Sequence, residues 1–316
     1  MARWRAPVGR RLRLVSLLLL VPAALLASPL TGRWERRAPM RVSRSEVAAA
    51  AVGGRLYVVG GFGAAGNVVE EYDPAADAWR ERAALPAPVH HPAATGLDGV
   101  LYVLGGYRDG WIPVADVFAY DPKNDRWTRR ASMSMASGAL AAAVLDGKIY
   151  AVGGIAGDGG SRALAVYDPR ADRWEGRAPM PTGRDHLAAV AAAGRLYAIG
   201  GRVMGSYARN LAVVEAYDPA ADRWERRADL PTPRSGIAGA LWRGRIVVMG
   251  GEAPAGTFAT VEAYDPPTDT WAIAPPMPTA RHGLGAAVLG PGLYAVAGGP
   301  TPGGSGSAAT EVLLPQ

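Results

Sequence analysis

The sequence contains no cysteine. That excludes disulfides, thiolate metal sites and cysteine nucleophiles. Lysine is almost missing too: two lysines stand against 32 arginines. With Ala, Gly and Pro abundant, this reads as the codon bias of a GC-rich bacterium and not as a phosphate-binding design. There are only four histidines and three phenylalanines. No G-x-S-x-G, H-E-x-x-H, P-loop or calcium-loop pattern occurs. Gly61 to Gly66 does match G-x-G-x-x-G, but the dinucleotide motif must open a helix, and Asn67 to Tyr72 reads as a strand.

The positive charge is lopsided. Of the formal +6, residues 1–27 carry five arginines and no acid, leaving 6 − 5 = +1 for the rest. A nucleic-acid reading thereby loses its main support, and no nucleic-acid partner is expected. Arg3 to Arg13 followed by the apolar run Leu14 to Ala27 has the n-region and h-region of an export signal, with small residues at Ala27 and Ser28 for cleavage. The run is short for a span of about 20 residues. No charge occurs from Leu14 through Gly32, so an uncleaved anchor over residues 14–32 is the alternative to a signal over residues 1–27. The protein is therefore expected in the periplasm or outside the cell. Arg10-Arg11 reads as part of an ordinary n-region in preference to a twin-arginine signal. Residues 28–33 read as a short linker and 34–316 as one domain.

That domain is repetitive. A double glycine occurs at Gly60, Gly105, Gly153, Gly200, Gly250 and Gly298, each with the residue after it, at intervals of 45 to 50 residues. Five pairs are followed by Tyr-Asp-Pro, with a Trp seven residues past the Tyr: Tyr72/Trp79, Tyr120/Trp127, Tyr167/Trp174, Tyr217/Trp224 and Tyr264/Trp271. A fixed grammar at this period means an array of supersecondary units. Within residues 181–230, four short runs are bounded by Gly194-Arg195, Gly200-Gly201 and Asp218-Pro219, which gives a four-stranded antiparallel meander. The Ala-rich first runs have helix propensity. Their length of about six residues and their fixed place before a turn make them innermost strands, where neighbours crowd an axis. Tyr and Trp are expected to pack between units.

Double glycine, Tyr and Trp in this order and period resemble the Kelch repeat, over residues 34–314. The resemblance implies an all-β, six-bladed propeller of four-stranded blades. The ends agree with ring closure. Trp34 to Met40 matches Trp224 to Leu230, and the last unit has Thr310 to Leu314 as its third strand but no Trp strand of its own. The N-terminal strand 34–37 is expected to complete that blade.

In such a meander the strand 4–1 connections and strand 2–3 loops share one face, the one with the longer loops. The column just before each first strand reads Arg44, Val89, Ser137, Arg184, Arg234 and Arg281. Beside it lie Glu46, His90, His91, Asp185, His186 and His282, including every histidine of the chain. The 2–3 loops add Arg202, Tyr207 and Trp111, whose Trp breaks the register of the repeat and would suit an aromatic platform for a sugar or peptide. The ligand-binding residues expected are Arg44, His90, His91, Trp111, Arg184, His186, Arg202, Tyr207, Arg234, Arg281 and His282. The alternative is that Arg and His bond neighbouring carbonyls and knit blades together. A metal held by His90 or His91, His186 and His282 would require residues of separate blades to converge, so no metal and no cofactor are expected.

The resemblance implies a non-catalytic binding module for a protein, peptide or glycan; with the N-terminal segment it is expected to be exported, and it is expected to be a monomer. It also extends to six-bladed bacterial sialic-acid mutarotases, which are exported Kelch propellers. In that alternative the arginines would take a sugar carboxylate, and Glu46, Asp185 or His186 would move protons. The copper radical oxidases among Kelch-type propellers need a cysteine linked to a tyrosine, so that activity is excluded.

Overall fold

The computed structural model describes residues 1–2, 29–62, 66–157 and 159–316. The segment read from sequence as an export signal lies almost wholly outside these residues. Among them, no helix is long and apolar enough to cross a membrane.

The described residues form six four-stranded antiparallel sheets, the blades of a propeller. Blade 1 comprises Ala48–Val52, Arg55–Val59, Val69–Asp73 and Ala78–Glu81, and blades 2 to 5 repeat this order. Blade 6 combines Gly285–Leu289, Gly292–Val296 and Thr310–Leu314 with Arg33–Arg36 as its outer strand. Arg33 pairs with Leu314 and Arg36 with Glu311, so the N-terminal strand closes the ring as expected. From Gly66, where the described residues resume, a turn leads into the strand Val69–Asp73, so no helix follows the G-x-G-x-x-G match.

The inner strands line the axis. Alternate residues such as Ala49, Ala94, Ala142, Ala189, Gly239 and Ala286 border a channel of about 290 Å³. Small residues predominate where neighbouring blades crowd the axis, with Val144, Leu241 and Val288 as the larger members of the lining. The other side of each inner strand joins cores between neighbouring blades, such as Ala50, Tyr57, Val103 and Tyr120.

The outer strands carry a clasp. Trp79, Trp127, Trp174, Trp224 and Trp271 donate Nε1–H to the carbonyls of Ala38, Ala83, Ala131, Ala178 and Ala228 in the preceding connection. The second Asp of each Asp-Pro-x-x-Asp turn binds the amide of that same Ala and also the hydroxyl of its own Tyr, as Asp125 does with Ala83 and Tyr120. The repeated residues thus hold blade to blade.

The double glycine holds the opposite face. Its second amide donates to the next blade's connection: Gly61 to Val89, Gly106 to Ser137, Gly154 to Arg184, Gly201 to Arg234 and Gly251 to Arg281. Both glycines have positive φ, and a Cβ on Gly200 would stand 2.9 Å from the Arg234 carbonyl, so only glycine fits. Blade 6 departs from the sequence register. There the left-handed pair is Ala297-Gly298, and Gly298 donates to the Arg44 carbonyl. The visible pair Gly298-Gly299 is offset by one residue.

Candidate functional site

Each strand 4–1 connection delivers one residue to the axis: Glu46, His91, Ala139, His186, Gly236 and Gly283. All six have φ between +52° and +64°. Each amide donates to the carbonyl of the preceding blade: His91 to Glu46, Ala139 to His91, His186 to Ala139, Gly236 to His186 and Gly283 to Gly236, at 2.9–3.0 Å. Val47 completes the circle with a 3.4 Å bond to Gly283. The result is a backbone annulus around the axis. A left-handed non-glycine residue is strained, but Ala139 shares the conformation, so the annulus imposes it and not the side chains.

The residue before each annulus position pairs with a 2–3 loop: His90 with Tyr107, Asp185 with Arg202, Ser235 with Glu252 and His282 with Gly299. This is the physical basis of the shared face. In four blades the 2–3 loop is itself a small hairpin, such as Arg202–Val203 with Ser206–Asn210.

Side chains from blades 1, 2, 4, 5 and 6 converge here into one buried polar network. Glu46 Oε2 lies 3.2 Å from His91 Nε2, and Oε1 lies 3.2 Å from His282 Nε2. Arg202 donates to Glu252 at 2.6 Å, to Asp185 at 3.3 Å and to His186 Nε2 at 2.7 Å. His186 Nδ1–H therefore faces Asp185, at 2.6 Å. His91 Nε2–H faces Glu46, so its Nδ1 accepts from His90 Nδ1–H across 2.6 Å. Both nitrogens of His282 face carbonyl oxygens, of Gly299 and Gly303, at 3.0 Å. A ring bounded only by acceptors must carry two protons.

The charges follow this wiring. Burial holds His91 neutral, far below the ordinary histidine value, and lowers His90 as well. Burial also disfavours charge on His282, but Glu46 and Glu252 outweigh it and raise its pKa. Burial would raise Glu46; His91, His282 and His186 outweigh it and hold the carboxylate ionised. Two sets could hold a metal ion, Glu46/His91/His186 and Glu46/Glu252/His282, with ligand atoms in each within 4.8 Å of one another. Separate blades do converge, contrary to the premise on which a metal was set aside.

Beside the network, between blades 1 and 2, is a cavity of about 450 Å³ lined by Phe62, Asn67, His90, Tyr107, Asp109 and Trp111 among others. Phe62 stacks on His90 at 4.3 Å, and Trp111 meets Phe62, His90 and Tyr107 at 4.8–5.3 Å. Trp111 is 55% exposed. A larger groove of about 1080 Å³ lies between Leu30, Trp271, Ile273 and Pro275, with an apolar lining and none of these polar groups.

Of the residues expected to bind a ligand, His90, His91, His186, Arg202 and His282 meet in the network, and His90 joins Trp111 in the cavity. Tyr207 lies on the Arg202 hairpin, its ring 5.9 Å from the guanidinium. The arginine column is elsewhere. Arg44, Arg184, Arg234 and Arg281 are at most 1% exposed. They pair with Glu70, Glu215, Glu262 and Glu311 of their own blades. Arg44 also donates to the carbonyls of Gly60, Val68 and Val58. These guanidiniums bond carbonyls and carboxylates inside their own blades and do not join one blade to the next. Glu252, a strand 2–3 loop residue of the same face, enters the network although it was not among the ligand-binding residues expected. Its signal was its place directly after a double glycine, equivalent to that of Arg202.

The fold and face define a β-propeller whose blades are structural repeats and whose irregular residues gather at one end of the axis. The KLHDC2/KLHL20/DRC7 Kelch-repeats domain matches residues 138–308, and the Kelch motif matches residues 43–86 and 88–134. The chain belongs to the Kelch-repeat family. It is similar to the solved structure of YjhT, with a TM-score of 0.77 and 18% identity over 89% of this chain and 97% of that one. At that identity the likeness establishes the fold alone. No curated protein matches the sequence.

Proposed function

We propose that the protein is an exported, monomeric binding module that holds a glycan in the aromatic cavity between blades 1 and 2. Kelch propellers commonly serve as binding modules. The observation that carries the reading is Trp111: a large exposed ring held at left-handed φ (61°) against Phe62, His90 and Tyr107. Sugar rings stack their C–H faces on such platforms, while Asn67, His90 and Asp109 offer hydrogen bonds at the edge. Titrating the full chain with neutral and acidic oligosaccharides by calorimetry tests this. Trp111→Ala should weaken the bound sugar about 30-fold, as loss of a 2 kcal/mol anchor does, with the melting temperature unchanged. Sugar binding indifferent to Trp111→Ala, or binding confined to peptides, sinks the glycan reading.

A second reading, an acid–base enzyme for a small sugar such as a sialic-acid mutarotase, is favoured by one observation. His90 lines the cavity and is hydrogen-bonded through His91 to the buried carboxylate of Glu46. Such a chain passes a proton between a ligand and a protected acid. Acceleration of sialic-acid anomer exchange, followed by NMR and lost in His90→Gln, would select this reading over the first.

A further inference from the structure

We propose that Glu46, Glu252 and His282 bind one divalent first-row metal ion at the axial end of the annulus. Their side chains are 0–8% exposed and come from blades 1, 5 and 6. His282 Nε2 lies 3.2 Å from Glu46 Oε1 and 3.7 Å from Glu252 Oε2. Donors around a tetrahedral ion at about 2.0–2.2 Å stand roughly 3.4 Å apart, so small shifts would admit one. The Gly303 carbonyl, 3.0 Å from the same nitrogen, is a fourth donor.

The atoms behind the donors favour the site. A metal-binding histidine normally donates its other N–H to a carbonyl or carboxylate, and its carboxylate neighbours are held in turn. His282 Nδ1 faces the Gly299 carbonyl at 3.0 Å. Glu46 Oε2 faces His91, and Glu252 Oε1 accepts from Arg202 at 2.6 Å. Each ligand is thus held through its second atom while the first atoms point to a common place, where Glu252 Oε2 also accepts from the Gly303 amide at 3.2 Å. The other set, Glu46/His91/His186, is less open. Arg202 occupies the His186 Nε2 lone pair and Asp185 takes its Nδ1–H, so an ion there would have to break a 2.7 Å bond from a cation.

The test uses the full chain, stripped with chelator and titrated with Zn²⁺. One ion should bind per chain. X-ray absorption of the loaded wild-type protein should show one imidazole among oxygen donors, a readout that needs no variant to fold. His282→Ala and Glu252→Gln should each weaken binding at least about 100-fold, the upper range for loss of even a supporting residue. His186→Ala should leave the stoichiometry at one. No saturable Zn²⁺ binding overturns the proposal. So does a spectrum with two imidazoles, or binding that survives His282→Ala and disappears in His186→Ala, since both assign the ion to the other set.

Discussion

Arginine and histidine stand side by side in the strand 4–1 connections, yet only the histidines reach the axis. The residue-level cause is a partner in the third strand, two positions before the Tyr or, in blade 6, before Leu313. Where the column has Arg44, Arg184, Arg234 or Arg281, the third strand has Glu70, Glu215, Glu262 or Glu311. Where it has Val89, the same place holds Phe118, and the two share one apolar core. The molecule therefore contains both an ionic and an apolar solution to one packing problem. A buried ion pair gives little net stability over apolar residues, but removing one partner strands a charge. Arg184→Val should cost about 3–5 kcal/mol, because Glu215 loses its cationic partner and the carbonyls of Val213 and Ala198 lose their donor. Adding Glu215→Phe, which copies blade 2, should recover more than half. Urea unfolding of the single and double variants measures both. A single variant within about 1 kcal/mol of wild type would show that Glu215 finds water or another partner.

At the level of elements, the repeat was legible because its residues make the same bonds in nearly every blade. The glycine pairs, the Tyr–Asp–Trp clasp and the Ala-rich inner strands follow from local pattern. The pair Gly298-Gly299 misled by one residue because Ala297 tolerates the left-handed conformation, so the second glycine of the pair lies outside the motif. The axial network was less legible. Its histidines and Arg202 could be named, but their meeting depends on the annulus, whose bonds join residues of consecutive blades and leave no fixed spacing in the sequence. The clasps also set an acid limit. The hydroxyl of Tyr120 holds the Asp125 carboxyl below its ordinary value of 3.8, and Asp77, Asp172 and Asp222 are lowered in the same way by Tyr72, Tyr167 and Tyr217. For a depressed carboxyl the unfolded chain binds the proton first, so its contribution is complete above pH 3.8 and lost as pH falls through the lower folded value. Asp125→Asn keeps an oxygen for Ala83 and Tyr120 but has no proton to gain. Its melting temperature should fall less steeply than wild type between pH 4 and pH 2. Parallel curves would mean that the clasp does not titrate there.

For the whole molecule, stability turns on one seam. Five blades are continuous in the chain, whereas blade 6 is assembled from both ends. Leu313 stands where the other third strands carry Tyr, so this blade lacks the Tyr–Asp part of the clasp. It keeps the Trp part, Trp34 Nε1–H on the Pro275 carbonyl at 2.8 Å, and is otherwise held by the ladder from Arg33 to Arg36. Arg37 and Met40 extend the seam through their amides to Thr310 and Ala308. Without these residues the strand Thr310–Leu314 becomes an open edge, and the two cores that Trp34 and Met40 touch lose a wall. Each blade packs only on its neighbours, so a gap at one seam exposes both flanking blades and the loss should spread around the ring. Deleting residues 31–40 should lower the melting temperature in a single cooperative transition, while Trp34→Phe, which removes one hydrogen bond and keeps most of the ring, should cost about 1 kcal/mol. Calorimetry distinguishes the outcomes: an unchanged melting temperature after the deletion would mean that the ring does not depend on its N-terminal strand, and a split transition would mean that blade 6 melts apart from the rest.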